Sequence, residues 1–416
     1  MGKLNKKEKI GLLVFILAAN VALILGLDYS GLGGNVSDVD RLPDGSTLVT
    51  NTDWFDIITF QHLNPQRIYK LDANNEVVWE YWGTAFPHEI ILLETGNYLC
   101  ADTAHERAFE IDPTDNTIVW EWKPENINWT KVNPAWGEDH YYNNPIGFDW
   151  THLNDIEIRD FGTYNACLIS IRNFDLVVEV NYTADKEFWT ANEDNDPDNV
   201  IWWYGDRGNY DLVNHQHNPD YIDDDSIIIA DSKNDRIIIV NKTTKEITWE
   251  YGDEQGANLD WPRDADLLPN GNLLITDSFH HRVFEMNMTT LEIEWEFSKI
   301  LCNAYEADLL PNGHILIGDI TIIELDENLN VVWRYGISFP QMLIYLNFGF
   351  IALLELRRII QLIRRGKKQE WEHDNKSNHI KWLVLYSVGF SLSILFIIYY
   401  NVIYGIIGSV FFRPFV

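Results

Sequence analysis

Between residues 36 and 336 the chain alternates short apolar runs with polar turns, at a spacing that predicts strands and no long helix. The stretch "DADLLPNGNLLITDSFHHRVFEMNMTTLEIEWEF", residues 264 to 297, holds four such runs. Each is short, rich in β-branched and aromatic residues, and bounded by Gly, Pro, Asn or Asp, the mark of a strand. The same frame returns at "EADLLPNGHILIGDITIIELDENLNVVWRYG" (306 to 336), from Asp38, from His88, from "THLNDIEI" through "NVIWWYG", and from His217. Six units of four strands result, with a period near forty residues. A lone four-stranded sheet cannot cover both its faces, so six copies predict a closed ring, an all-β six-bladed propeller.

The two ends of the chain break this pattern. Residues 10–27 and 382–410 carry no charge and 337–356 only one late Glu, each long enough to cross about 30 Å as a helix. Lys3, Lys6, Lys7 and Lys9 flank the first run, and Arg357, Arg358, Arg364, Arg365, Lys367 and Lys368 follow the second. Basic flanks stay cytoplasmic. The expected order is therefore a cytoplasmic N-terminus (1–9), a first span (10–27), an extracellular propeller (28–336), a second span (337–356), a cytoplasmic basic loop (357–381), a third span (382–410) and an extracellular C-terminus (411–416). The protein is expected in the cell membrane, in contact with lipid through three helices, and a membrane-protein partner for the C-terminal pair is conceivable.

Composition sharpens the picture in three ways. The chain's formal charge of −32 is exceeded in the propeller segment, where 58 Asp and Glu face 18 Lys and Arg for a net charge near −40, so nucleic acid is not expected as a partner. Three cysteines, Cys100, Cys167 and Cys302, are too few for a disulfide framework, and the first two fall in strands as buried thiols. Sequons at Asn35, Asn128, Asn181, Asn241 and Asn287 would allow N-glycosylation. No cofactor or metal is expected, because the calcium-loop-like "EDNDPDN" lacks the Gly and the closing Glu of that motif.

Repetition also sorts the attractive residues. Trp79, Trp120, Trp203, Trp249, Trp295 and Trp333 end the units and are expected to pack between blades. Asp102, Asp231, Asp277 and Asp319 in second strands, and Asp40, Asp220, Asp266 and Asp308 in first strands, are expected to cap turns. Arg67, Arg107, Arg236 and Arg282 recur at third strands, which favours a structural role. His88, His152 and His217 depart from the repeat at the starts of the second, third and fourth units, where a propeller gathers its loops. Aromatic residues of the inserted loop, Trp129, Trp136, Tyr141, Tyr142 and Phe148, could either stack on a ligand ring or pack over the blade.

Through "DWTHLNDIEI", "ISIRNFDLVVEVN", "WWYGD", "HQHNPDYI" and "DADLLPNGNLLITD" the chain resembles the arylsulfotransferase family. That resemblance implies transfer of a sulfuryl group from a small phenolic sulfate to a phenol acceptor through a sulfated histidine, without a nucleotide donor. Carried over by position, it implies catalytic roles for His152, His217 and Arg236. The residues themselves suit this chemistry, since imidazole can attack sulfur and guanidinium can clamp its oxygens. His88, Asn154, Arg172 and Trp150 are expected to bind substrate. The family's sulfated histidine belongs to a later blade, and the fifth and sixth units here open with "WPRDAD" and "AYEAD", offering Arg263, Asp264 and Glu306; His88 is then an alternative nucleophile. The competing expectation is a non-catalytic surface propeller that binds a ligand or an envelope protein.

Overall fold

A computed structural model describes residues 36–52, 66–136, 149–182, 200–301, 303–336 and residue 357. Six antiparallel four-stranded sheets form in chain order, each from one contiguous repeat. The tight first hairpins turn at Gly45, Gly96, Gly271 and Gly313, with φ between +82° and +86°, a region that only Gly enters without a Cβ clash.

The ring closes through side-chain burial. Six apolar clusters each lie between neighbouring blades: one joins Leu48, Ile68 and Ile90, another joins Val39 and Tyr69 of blade one to Leu316 and Ile322 of blade six. Both faces of a blade are therefore covered, which a single sheet could not achieve alone. Each fully buried Ile or Leu contributes about 1.5–3 kcal/mol. Polar contacts complete the seam between first and last blades: Val36 N–H donates to Asp319 O (2.9 Å), and Arg41 pairs with Glu324 (2.9 Å).

The tryptophan series packs between blades as expected. Trp79 meets Tyr98 of blade two at 4.8 Å, Trp120 meets Tyr182 of blade three at 5.0 Å, and Trp333 of the last blade donates to Asn75 of the first (3.1 Å). Trp129 and Trp136 of the inserted loop are fully buried, against Phe174 (5.8 Å) and Trp203 (5.8 Å) respectively, so packing is their role; Tyr141, Tyr142 and Phe148 lie outside the described residues. Cys100 and Cys167 are buried free thiols.

Second-strand aspartates cap turns as expected, and with a consistent partner. Asp102, Asp231 and Asp277 accept the backbone N–H of Ala85, Asn214 and Asp260 (2.7 to 2.8 Å) and receive Arg107, Arg236 and Arg282 from the third strand. Each Arg continues to a fourth-strand Glu: Glu121, Glu250 or Glu296. First-strand aspartates behave differently, which corrects the expectation that they cap turns. Among the described residues no helix is long and apolar enough to cross a membrane; the three expected spans lie outside the described residues, as does the segment 194–199.

Candidate active site

The inner strands Val39–Arg41, Pro87–Leu92, Leu153–Asp160, His217–Tyr221, Pro262–Leu267 and Glu306–Leu309 surround the propeller axis. Three of them begin with the same irregularity. Pro87 pairs with Asp102 and Glu89 with Ala101; Pro262 pairs with Asp277 and Asp264 with Thr276; Leu153 pairs with Ile171 and Asp155 with Ser170. One residue is thus bulged from each strand: His88, Arg263 and Asn154. Such bulges re-aim a side chain beside functional sites. The fourth blade is irregular at the same place, next to His217.

This register corrects the alignment of the three histidines. Asn154, not His152, occupies the ladder position of His88. His152 stands two residues earlier, where the other blades have Phe86, His215 and Trp261, and all four residues take φ between +49° and +58°. A left-handed non-Gly residue is uncommon, and its recurrence marks one rigid corner used four times.

The corner folds His152 back onto its neighbours. Its ring lies 5.1 Å from that of His88 and 5.8 Å from that of Phe86. Tyr305 lies 5.8 Å from His88 on the other side, and the Arg263 guanidinium stacks 3.9 Å over the Tyr305 ring. His217 sits 6.2 Å from Trp261. His88, His152, His217, Asn154 and Arg263 are all buried.

Hydrogen bonds set the imidazole tautomers. Asp149 holds His152 Nδ1 at 2.5 Å, so Nδ1 carries the proton and Nε2 the lone pair. Ser232 donates to Ala230 O (3.3 Å) and so accepts from His217 Nδ1 (2.8 Å), with the same consequence. His88 Nε2, Asn154 Oδ1 and Arg263 Nε are buried without a hydrogen-bond partner. Three unmet polar atoms at one ladder position ask for a polar occupant.

Electrostatics at this mouth favours neutral imidazole beside fixed cations. Burial lowers the pKa of His88 well below the usual range, helped by His152, Arg172 and Arg263; burial also lowers that of His217, helped by Arg263 and Arg172. Arg172 falls to about 10 through burial and the Arg263 charge, and remains charged at neutral pH. Its side chain rests on Asn173 (3.1 Å), and its N–H donates to His152 O (3.2 Å), which places it at the same end.

Two expected site residues stand elsewhere. Arg236 is held by Asp231 (2.7 Å) and Glu250 (3.4 Å) and donates to Asp211 O, so it belongs to the repeated Asp–Arg–Glu relay. Arg263, from the fifth blade, supplies the second guanidinium instead. Trp150 turns its ring onto Phe174 (5.2 Å) in the core between blades two and three.

Deeper along the axis the character inverts. Below the histidines lie Asp38, Glu89, Asp155, Asn218, Asp264 and Glu306, and then Asp40, Glu157, Asp220, Asp266 and Asp308, all lining one cavity of about 110 Å³. These are the first-strand acids, two residues apart and therefore on one strand face. That period of two was readable in the sequence and is the signal that could have found them. Burial raises the pKa of Asp40 to about 6, of Asp264 to about 6 and of Glu157 to about 7, and lifts the others well above the carboxylate range.

A pH dependence follows. A carboxyl raised in the folded chain retains protons that the unfolded chain releases, so its contribution to stability is complete below about pH 4 and is lost as pH rises through 6 to 7. The depressed His88 and His217 oppose this only below about pH 6.5, where unfolded imidazole charges. The thermal midpoint is therefore expected to fall as pH rises from about 6.5 through about 7, where imidazole no longer opposes and Glu157 still loses its proton. A flat or rising profile across that window would contradict the burial of these acids.

No protein-family model matches the chain, and no curated protein does. Solved structures similar to it include virginiamycin B lyase from Staphylococcus aureus (12% identity, TM-score 0.45, covering 74% of this chain and 85% of that one). The WD40 β-propeller domain of Doa1 is another (13% identity, TM-score 0.42, covering 66% and 72%), and so is a protein of unknown function from Bacteroides caccae (13%, TM-score 0.43, covering 65% and 89%). The six sheets and six inter-blade clusters make the chain an all-β six-bladed propeller.

Proposed function

We propose that the axial mouth binds an aryl sulfate and passes its sulfuryl group to a phenol through His152. The observation that carries this reading is the convergence of three imidazoles, His88, His152 and His217, with Arg172 and Arg263 at one end of the axis.

The chemistry balances on these residues. The Nε2 lone pair of His152 forms the N–S bond while the S–O bond to the donor phenol breaks, and that electron pair leaves on the phenolate. Arg172 and Arg263 face the sulfuryl oxygens, and Asp149 on Nδ1 supports the cationic ring that forms. An acceptor phenol then gives its proton to neutral His88 or His217, its oxygen attacks sulfur, and the N–S bond breaks to restore His152. The proton ends on the first phenolate.

Charge supports sulfate over phosphate. A sulfate ester carries one negative charge, whereas a phosphomonoester carries nearly two at neutral pH and would stand above channel acids of which Asp40 and Asp264, with pKa about 6, are largely ionised. The flanking charges support a propeller outside the cell membrane, held by the spans 10–27, 337–356 and 382–410.

The test is to incubate the full-length chain with 4-nitrophenyl sulfate and phenol. Acceptor-dependent release of 4-nitrophenol with formation of phenyl sulfate is expected, with no turnover of 4-nitrophenyl phosphate. Absence of release from the sulfate would overturn the proposal.

A further inference from the structure

Directly beneath the histidines, Glu306, Asp38, Glu89 and Asp155 come from blades six, one, two and three, four consecutive inner strands at one level. Carboxylate oxygens of Asp38, Glu89 and Glu306 lie within 4.8 Å of one another. Two of these acids already hold the ring together through one oxygen: Asp38 accepts Ile90 N–H (2.6 Å), and Glu306 accepts Val39 N–H. The Asp38 and Glu306 carboxyls also hydrogen-bond to each other, a contact that a bound cation would replace. The fourth acid supplies an independent sign of a ligand, because Asp155 is 4% exposed, lines the same cavity, and its Oδ2 has no hydrogen-bond partner. A buried carboxylate oxygen without a donor is costly unless a cation or a proton meets it.

We propose that Asp38, Glu89, Glu306 and Asp155 bind a calcium ion in the axial channel. The donor set is all oxygen, which selects a hard cation over zinc or copper. The oxygens of Asp38, Glu89 and Glu306, up to 4.8 Å apart, fit across one ion at a Ca–O length of about 2.4 Å, and calcium accepts an irregular shell to which Asp155 of the next strand, lining the same cavity, adds a further oxygen. Asn218, at the same level in the fourth blade, adds a neutral amide to the wall. The ion binds the inner ends of four blades together, so its effect reaches the whole ring. This inference stands apart from the proposed sulfuryl transfer, because it is read without any ester present.

The experiment is calorimetric titration of the chelator-stripped full-length chain with calcium, with the thermal midpoint recorded in calcium and in EDTA. One saturable site is expected, with a midpoint higher by several degrees in calcium. Asp155→Asn keeps the shape and removes one buried charge. It should raise the midpoint in EDTA and weaken calcium binding by about tenfold or more, a pairing of signs that loss of a structural contact would not produce. Glu89→Gln provides a second variant with the same expectation, and Asp224→Asn, a surface pair with Arg159, should change neither readout. Absence of calcium binding by the wild-type chain, a response to magnesium alone, or an unchanged calcium response in both Asp155→Asn and Glu89→Gln would overturn the assignment.

Discussion

Replacing His152 with Ala is expected to reduce aryl sulfate turnover by at least about 10³-fold, because the nucleophile itself is removed and His88 lacks the carboxylate that Asp149 gives His152. Asp149→Asn should give an intermediate loss, since the amide keeps the contact at Nδ1 but no longer stabilises a cationic ring. Arg236→Lys separates the geometry from the family resemblance. Held in the relay by Asp231 and Glu250, Arg236 should leave turnover unchanged when replaced, while stability falls by about 1–3 kcal/mol as buried Asp231 loses its fork. Steady-state kinetics and denaturant titration of the three variants read these outcomes. If Arg236→Lys lost turnover as deeply as His152→Ala, the guanidinium pair at the mouth would be misassigned.

The second large effect is on the ring rather than the mouth. Trp120→Ala is expected to destabilise the propeller by about 3–5 kcal/mol, because a fully buried indole at the seam of blades two and three leaves a cavity that rigid sheets cannot close. Trp79→Ala, at the equivalent place but half-buried, should cost clearly less. Urea unfolding of both variants measures the difference. A loss below about 1 kcal/mol for Trp120→Ala would contradict its role as the wedge between blades.

The fold was legible because a propeller writes the same physical problem six times. Most repeats share a Gly at a positive-φ turn, an Asp that receives a backbone N–H from its own blade's entry corner, and a Trp facing the neighbouring blade, so Gly271, Asp277 and Trp295 could be recognised by their copies. The histidines were legible for the opposite reason, as departures from the copies. Their register was not. The bulges that place Asn154 beside His88, and His152 two residues earlier, depend on how each inner strand meets its second strand, and no residue type announces that.

Two misreadings share a cause. Arg236 matched the resemblance by its distance from His217, but sequence distance does not say which end of a strand faces the axis. Arg263, which reaches the mouth from blade five, was visible only as a substitute for a missing histidine. The first-strand acids were grouped with the turn-capping aspartates because both recur. Recurrence identifies a common environment without saying which one; the spacing of Asp38 from Asp40, Asp155 from Glu157, Asp264 from Asp266 and Glu306 from Asp308 does say it, since alternate residues share a face.

The most direct measurement is mass spectrometry of the chain quenched after brief exposure to an aryl sulfate without acceptor. The account predicts one added sulfuryl group on the peptide that contains His152, absent from His152→Ala and discharged when phenol is supplied. Sulfation of a different residue, or product formed while the chain never carries the group, would contradict it.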